Sequence, residues 1–237
     1  MGILDLHTGQ QATIIGEVTD WMKSQPAPSR IAWALSHMPG AHVVSSSFGV
    51  QSAVMLHMMT QAKPDIPVLL MDTGYLFPET YRYIDALKER LSLNIHVYGA
   101  KISPAWQESK FGQLWEQGAE GLKKYNEMNK VEPMARALTD LGAQTWFAGL
   151  RRVQAESRAD VPFVQIKDGR VKVHPLADWS NRAVHKYMKK HDLPAHPLWE
   201  QGYVSVGDTH STGKFKAGMR EEDTRFGGNG RECGLHT

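Results

Sequence analysis

The residue of this chain richest in chemistry is its single cysteine, Cys233, set in Arg231-Glu232-Cys233-Gly234-Leu235-His236. A lone cysteine is usually a small buried hydrophobe with an idle thiol. The surroundings here point the other way, because Arg231 two residues before it and His236 three after it favour a thiolate. Gly234 and the upstream Phe226-Gly227-Gly228-Asn229-Gly230 form a flexible tether that presents the sulfur instead of packing it. With no second cysteine the chain cannot close an internal disulfide, which fits a reducing cytoplasm. Nor can it build a cysteine-ligated zinc or iron-sulfur centre, and its 11 histidines show no HExxH-type pairing, so no metal site is expected.

Three further stretches carry groups suited to an anion. Ser45-Ser46-Ser47-Phe48-Gly49-Val50-Gln51-Ser52 runs from an extended segment into a helix through hydroxyl residues and a glycine. Backbone N–H groups at such a helix start hold anions, although an ordinary serine cap explains the same residues when they are taken alone. The loop is neither a Walker A loop nor GxGxxG. Asp72-Thr73-Gly74 stands at a second strand end, and Gly149-Leu150-Arg151-Arg152, followed by Arg158, at another. Guanidinium groups match phosphate and sulfate geometry. Arginine pairs are more often solvated surface charges, but this one falls on the same sheet edge as the serine loop.

The elements that position these residues follow from hydrophobic periodicity. An amphipathic N-terminal region reaches Met38 and ends at Pro39-Gly40. Strands are predicted over 42–47, 67–71, 94–98 and 144–148, helices over 50–61 and 78–91, and one long helical stretch over 104–141. Two more extended runs, 163–167 and 171–174, flank Asp168-Gly169-Arg170 as a hairpin, and a capped helix covers 181–191. Beyond Pro194 no periodicity survives. The pattern is α/β: a mostly parallel twisted sheet flanked by helices, joined by right-handed crossovers, with ligands expected at the carboxyl ends of the strands. The 237 residues, 41% hydrophobic and 22% charged, suit one nucleotide-binding domain over 1–205 and a mobile segment, 206–237, that carries the cysteine. A net charge of +2 supplies no global field for nucleic acid or an anionic membrane. No apolar run approaches a membrane span, and Asp5 and His7 stand where a leader would be basic and then apolar.

In order and spacing, these motifs resemble those of the thioredoxin-dependent phosphoadenylyl-sulfate (PAPS) reductases of bacterial sulfate assimilation. The resemblance runs from Ser45-Ser46-Ser47-Phe48-Gly49 through Asp72-Thr73-Gly74-Tyr75-Leu76-Phe77-Pro78-Glu79-Thr80, Asn129-Lys130-Val131-Glu132-Pro133 and Trp146-Phe147-Ala148-Gly149-Leu150-Arg151-Arg152 to the Cys233 segment. It implies an adenine-nucleotide α-hydrolase-like fold whose serine loop is a modified PP-loop. Ser45, Ser46, Ser47, Gly49, Gln51, Asp72, Thr73 and Gly74 would then meet the nucleotide, and Lys130, Arg151 and Arg152 its sulfated end. Arg158 adds to that charge, while Arg225, Arg231, Lys214 and Lys216 could close over the ligand with the tail, although the two lysines suit a solvated face better; His236 either aids thiolate formation or binds the ligand, unless it is simply exposed. Related ATP pyrophosphatases carry SGGxDS; Gln51 stands here where their Asp is expected, which argues against ATP cleavage. A related branch reducing adenylyl sulfate holds an iron-sulfur cluster on a Cys-Cys pair and a CxxC pair. This chain has Tyr125 and Asn126, and Asp208 and Ser211, at those positions. The resemblance therefore implies the 3′-phosphorylated substrate, no cluster, and a homodimer.

Converting a sulfuryl group to sulfite takes two electrons, and the chain shows no flavin or nicotinamide fingerprint. Attack by the Cys233 thiolate would leave an S-sulfocysteine, and an external dithiol, a thioredoxin or glutaredoxin, would have to release sulfite and restore the thiol. Two other classes share the sheet and serine loop. An ATP-pyrophosphatase-type adenylating enzyme leaves the cysteine motif unexplained, and a nucleotide sensor would tolerate loss of the thiol.

Overall fold

The computed structural model describes residues 3–226. Two N-terminal helices, α1 (Thr8–Lys23) and α2 (Ala27–His37), precede a six-stranded sheet. Its strands are β1 (His42–Ser45), β2 (Pro67–Met71), β3 (Asn94–Tyr98), β4 (Thr145–Ala148), β5 (Val164–Lys167) and β6 (Arg170–Val173). They lie in the order β3-β2-β1-β4-β6-β5, all parallel except β5, which returns antiparallel to β6 through the hairpin expected at Asp168-Gly169. The crossovers are α3 (Ser52–Ala62), α4 (Pro78–Leu91) and the helices between β3 and β4; α8 (Asn181–Lys190) follows the hairpin, capped by Ser180, whose Oγ accepts from Ala183 N.

The central strands are short, apolar and covered on both faces, as parallel strands must be. Alternation divides them cleanly. Val44, Val68 and Leu70 join Ile31, Leu56 and Leu87 in one core, while Val43, Leu69 and Trp146 join Met134 and Leu138 in the other. A shift of one residue in any of these strands would exchange the two cores, so both cores fix the register.

One expectation needs correction. The helical stretch over 104–141 is not continuous: it divides into α5 (Pro104–Phe111), α6 (Gly118–Asn126), a π turn (Glu127–Val131) and α7 (Glu132–Asp140). Gly112 and Gly118 adopt φ of 70° and 69°, left-handed values that end one helix and open the next. Pro133 follows the π turn directly, where a residue without an N–H interrupts the regular helical bonding of a backbone that stays helical from 118 to 140. Among the described residues no helix is long and apolar enough to cross a membrane.

Candidate active site

Strand order reverses between β1 and β4, which are neighbours although the chain visits β2 and β3 between them. Loops leaving such a pair diverge and open a crevice at the carboxyl edge. A cavity of about 240 Å³ lies there, lined by Ser45, Ser46, Ser47, Gly49 and Gln51 from the first loop and by Gly149, Leu150 and Arg151 from the second. Thr73, Lys130, Arg158 and Arg225 complete the set of expected residues that it brings together, over an apolar bed that includes Leu56, Leu69 and Met134.

The strand-end wall is tied together internally. Trp146 Nε1 donates to Ser45 Oγ at 2.7 Å, Phe48 N donates to Ser46 Oγ at 3.0 Å, and Ser52 Oγ donates to the Gly49 carbonyl at 2.8 Å. Phe48 has φ of 49°, an unfavourable value for a side chain of its size, and its fully buried ring holds the loop in that shape. Arg151 is 1% exposed. Its guanidinium donates to the Trp179 carbonyl at 3.0 Å, to Asn181 Oδ1 at 2.8 Å and to Gln51 Oε1. Gln51 thus joins the serine loop to the β4 loop through one cation. Arg158, also buried, donates to Gln154 Oε1 at 3.0 Å.

The opposite wall comes from irregular backbone. Thr73 follows β2, Lys130 lies on the π turn, and residues 205–212 reach across to them through a bridge between Leu76 and Asp208 and a bond from Thr209 N to the Tyr75 carbonyl at 2.8 Å. Lys130 Nζ stands 2.6 Å from Asp208 Oδ2, with side chains 10% and 1% exposed, and Thr73 Oγ1 donates to Asp208 Oδ1 at 2.6 Å. Burial alone would raise the Asp208 carboxyl, but Lys130, helped by Thr73 and Arg225, holds it below the ordinary carboxylate range. Arg225 packs over Gly207, where a Cβ would run into its guanidinium, and reaches Ser211 Oγ at 3.4 Å. The described part of the segment beginning at residue 206 is therefore a wall of the cavity, with Val206, Asp208, Ser211, Thr224 and Phe226 all buried.

Other expected residues lie elsewhere. Asp72 shapes its loop: Oδ1 accepts from Gly74 N at 2.8 Å and from the Tyr81 hydroxyl at 2.7 Å. Gly74 takes φ of 76° in that turn, with Pro104 packed where a Cβ would be. Neither residue lines the cavity. Arg152 turns away, donating from Nε to the Val161 carbonyl at 2.9 Å with its guanidinium 4.8 Å from the centre of the Phe163 ring. Lys214 and Lys216 are exposed. Cys233, Arg231 and His236 lie outside the described residues, as do Gly227, Gly228 and Gly230.

The sequence did not single out Asp208, Gln154, Ser205 and Glu221 as ligand-facing, yet all four line the cavity. Their only signal is position. Gln154 sits three residues beyond Arg151, and Asp208 stands where the cluster-bearing branch has a cysteine. Tyr125, Asn126, Asp208 and Ser211, the positions of the two cysteine pairs in that branch, are all buried. Around them the His210 ring stacks on Trp115 at 4.0 Å and meets Tyr75 and Tyr125 edge-on at 5.3 and 4.9 Å. Burial pushes the His210 imidazole down to about 4, so it is neutral at pH 7.

Comparison with known proteins places these features in a wider set. The phosphoadenosine phosphosulfate reductase domain matches residues 41–214. A phosphoadenosine 5′-phosphosulfate reductase of Cronobacter sakazakii is 55% identical over 100% of this chain and 99% of its own length. One of Vibrio cholerae is 56% identical over 99% of this chain and 92% of its own. Among solved structures, the phosphoadenylyl-sulfate reductase of Candida auris in its phosphate complex superposes with a TM-score of 0.73 at 28% identity, covering 84% of this chain and 95% of that one. The FMN adenylyltransferase of Candida glabrata, at 14% identity and a TM-score of 0.58 over 90% of this chain and 75% of its own, shares the fold.

Proposed function

The chain belongs to the phosphoadenosine phosphosulfate reductase family, and from that premise we propose that it reduces 3′-phosphoadenylyl sulfate to sulfite and adenosine 3′,5′-bisphosphate, with Cys233 as nucleophile and an external dithiol protein of the thioredoxin or glutaredoxin class as reductant. The observation that carries this reading is the convergence of Lys130, Arg151, Arg158 and Arg225 on one cavity with the serine loop at the strand-order reversal. A ligand with a 3′-phosphate, a 5′-phosphate and a sulfuryl group needs several fixed cations, and the apolar bed beside them suits a base.

The chemistry closes in three steps. The Cys233 thiolate attacks the sulfuryl sulfur, the sulfur–oxygen bond to the 5′-phosphate breaks, and its electron pair leaves with the nucleotide. One thiolate of the partner then attacks Cys233 Sγ, and the electron pair of that sulfur–sulfur bond departs with sulfite. The partner's second thiolate attacks its own first sulfur and returns the Cys233 thiolate. The dithiol loses the two electrons that the sulfuryl sulfur gains. Cations around the sulfuryl oxygens would hold the group in line and stabilise the charge that departs with the nucleotide. Cys233 lies seven residue steps beyond Phe226, which stands beside Lys130 and Arg225, and a chain of that length spans at most about 25 Å. That length is compatible with meeting the ligand in one step and a protein dithiol in the next.

The test is to incubate reduced protein with the sulfonucleotide in the absence of any dithiol and to take an intact mass. Wild type should gain one sulfonate and Cys233→Ser none, with bisphosphate binding retained; a wild type without adduct, or an adduct on Cys233→Ser, overturns the mechanism. Turnover of the substrate with and without its 3′-phosphate checks selectivity, and sedimentation checks the homodimer that the family resemblance implies. A single cysteine required as a free thiol fits a cytoplasmic setting.

A further inference from the structure

Lys130 reaches the cavity from a π turn, a rare backbone state concentrated at functional sites. The turn is pinned from below. Fully buried Asn129 exchanges two amide bonds of 2.9 Å with Gln107 of α5 and donates a third to the Tyr125 carbonyl at 3.0 Å. The backbone is therefore fixed, but a lysine head at the end of four methylenes is not. Among the described residues the ion pair that fixes that head is the 2.6 Å contact with Asp208, beside the Tyr125 and Phe226 rings at 5.3 and 5.4 Å, and Asp208 is itself fixed by Thr73 and by the bridge to Leu76.

We propose that Asp208 is a positioning residue: it holds the Lys130 ammonium at the cavity wall in the place where the sulfuryl oxygens must be met. The proposal rests on the reductase reading above and deepens it. It makes a prediction that runs against simple charge counting. The Lys130–Asp208 pair is neutral as a unit, so attraction of the polyanionic nucleotide falls to Arg151, Arg158 and Arg225. Removing the Asp208 charge therefore leaves nucleotide binding intact or tightens it, while the released lysine head no longer meets the reacting group in line. Loss of orientation of about 1 Å costs on the order of 100-fold in rate.

The experiment measures single-turnover adduct formation on Cys233 and the dissociation constant of adenosine 3′,5′-bisphosphate for full-length wild type, Asp208→Asn, Lys130→Met and the double variant. Asp208→Asn is expected to bind the bisphosphate at least as tightly as wild type while forming adduct about 10- to 100-fold more slowly. If Asp208 acts through Lys130, the double variant is no slower than Lys130→Met alone. Adduct formation by Asp208→Asn at the wild-type rate or faster, or effects that simply multiply in the double variant, overturns the proposal. Should Asp208→Asn fail to fold, Thr73→Val keeps both charges and removes the 2.6 Å bond that orients the carboxylate. It should slow the same step about 5-fold, and an unchanged rate overturns the proposal. A wild type that forms no adduct overturns the Cys233 reading and this proposal with it; an active wild type beside an indifferent Asp208→Asn overturns this proposal alone.

Discussion

The two walls of the cavity hold their cations in opposite ways. At the strand ends, Arg151 is saturated by a backbone carbonyl and two side-chain amides, so its place is decided by the same strands and helices that make the core. Across the cavity, Lys130 sits on a π turn and Arg225 on a segment of short 3-10 turns and isolated bridges, and Lys130 is placed by a charge that must itself be placed. The first arrangement couples ligand binding to folding. The second separates them, because its parts adjust while the core stays intact.

The sharpest way to break this contrast is Arg151→Met. The substitution leaves Gln51, Asn181 and the Trp179 carbonyl without their shared donor, and we expect about 3 kcal/mol of lost stability in denaturant unfolding together with loss of bisphosphate binding. Stability and binding that moved independently there would dissolve the distinction. A smaller effect comes from acid. His174, at the end of β6, is fully buried with Nδ1 bonded to the Pro162 carbonyl, and burial holds it down to about 4. A folded-state value below the ordinary 6.5 means that the stabilisation is complete above pH 6.5 and is lost as pH falls from there toward 4. At pH 5 this one group costs about 2 kcal/mol, a loss that a histidine-free variant of the site should not show in melting curves taken across that range.

His210 sharpens the comparison, since it titrates in the same window on the other wall and its two ring nitrogens have no hydrogen-bond partner among the described residues. Replacement by phenylalanine keeps the stack on Trp115 and should raise the melting temperature at pH 7, worth about 1 kcal/mol, and more at pH 5. The smallest effect expected is Gly207→Ala. The atoms nearest the added methyl belong to the guanidinium of Arg225, the end of a long side chain that can shift, so stability should change by less than about 1 kcal/mol while bisphosphate affinity falls a few-fold. Equal losses in both quantities would show that this wall, too, is part of the core.

The same contrast explains what could be read from the chain. β2, α4 and β3 have the bounds that periodicity predicts, because Pro67, Pro78 and Asn94 punctuate the runs at their starts. The serine loop and Arg151 were legible for that reason: they follow strands. The break at Gly112 and Gly118 was written in the sequence but hidden by helical periodicity on either side. The π turn had one local sign, Pro133 two residues beyond it in a helix that does not end there, and its remaining support, the bonds of Asn129 to Gln107, comes from another element. Asp208 lies in a stretch without periodicity, and its partner Lys130 is distant in sequence, so no spacing rule could join them. Arg152 misled because the chain leaves extended geometry after Arg151: Arg152 opens a 3-10 turn and its side chain reaches the Val161 carbonyl instead of the cavity.

Arg30 deserves a last consequence. Buried in α2, it donates to the carbonyls of Met22 and Pro175 and grips both oxygens of Asp178 at 2.7 Å, one residue before the carbonyl that receives Arg151. During synthesis from the N-terminus, Arg30 emerges early and must wait for a partner 148 residues later. A nascent chain halted before Asp178 thus lacks the carboxylate that pairs with Arg30 in the folded protein, and we expect α2 to dock against the turn behind the cavity only once that residue is made. The contact that ties α2 to the turn behind Arg151 is therefore one that synthesis from the N-terminus supplies late, after every strand of the sheet has been made.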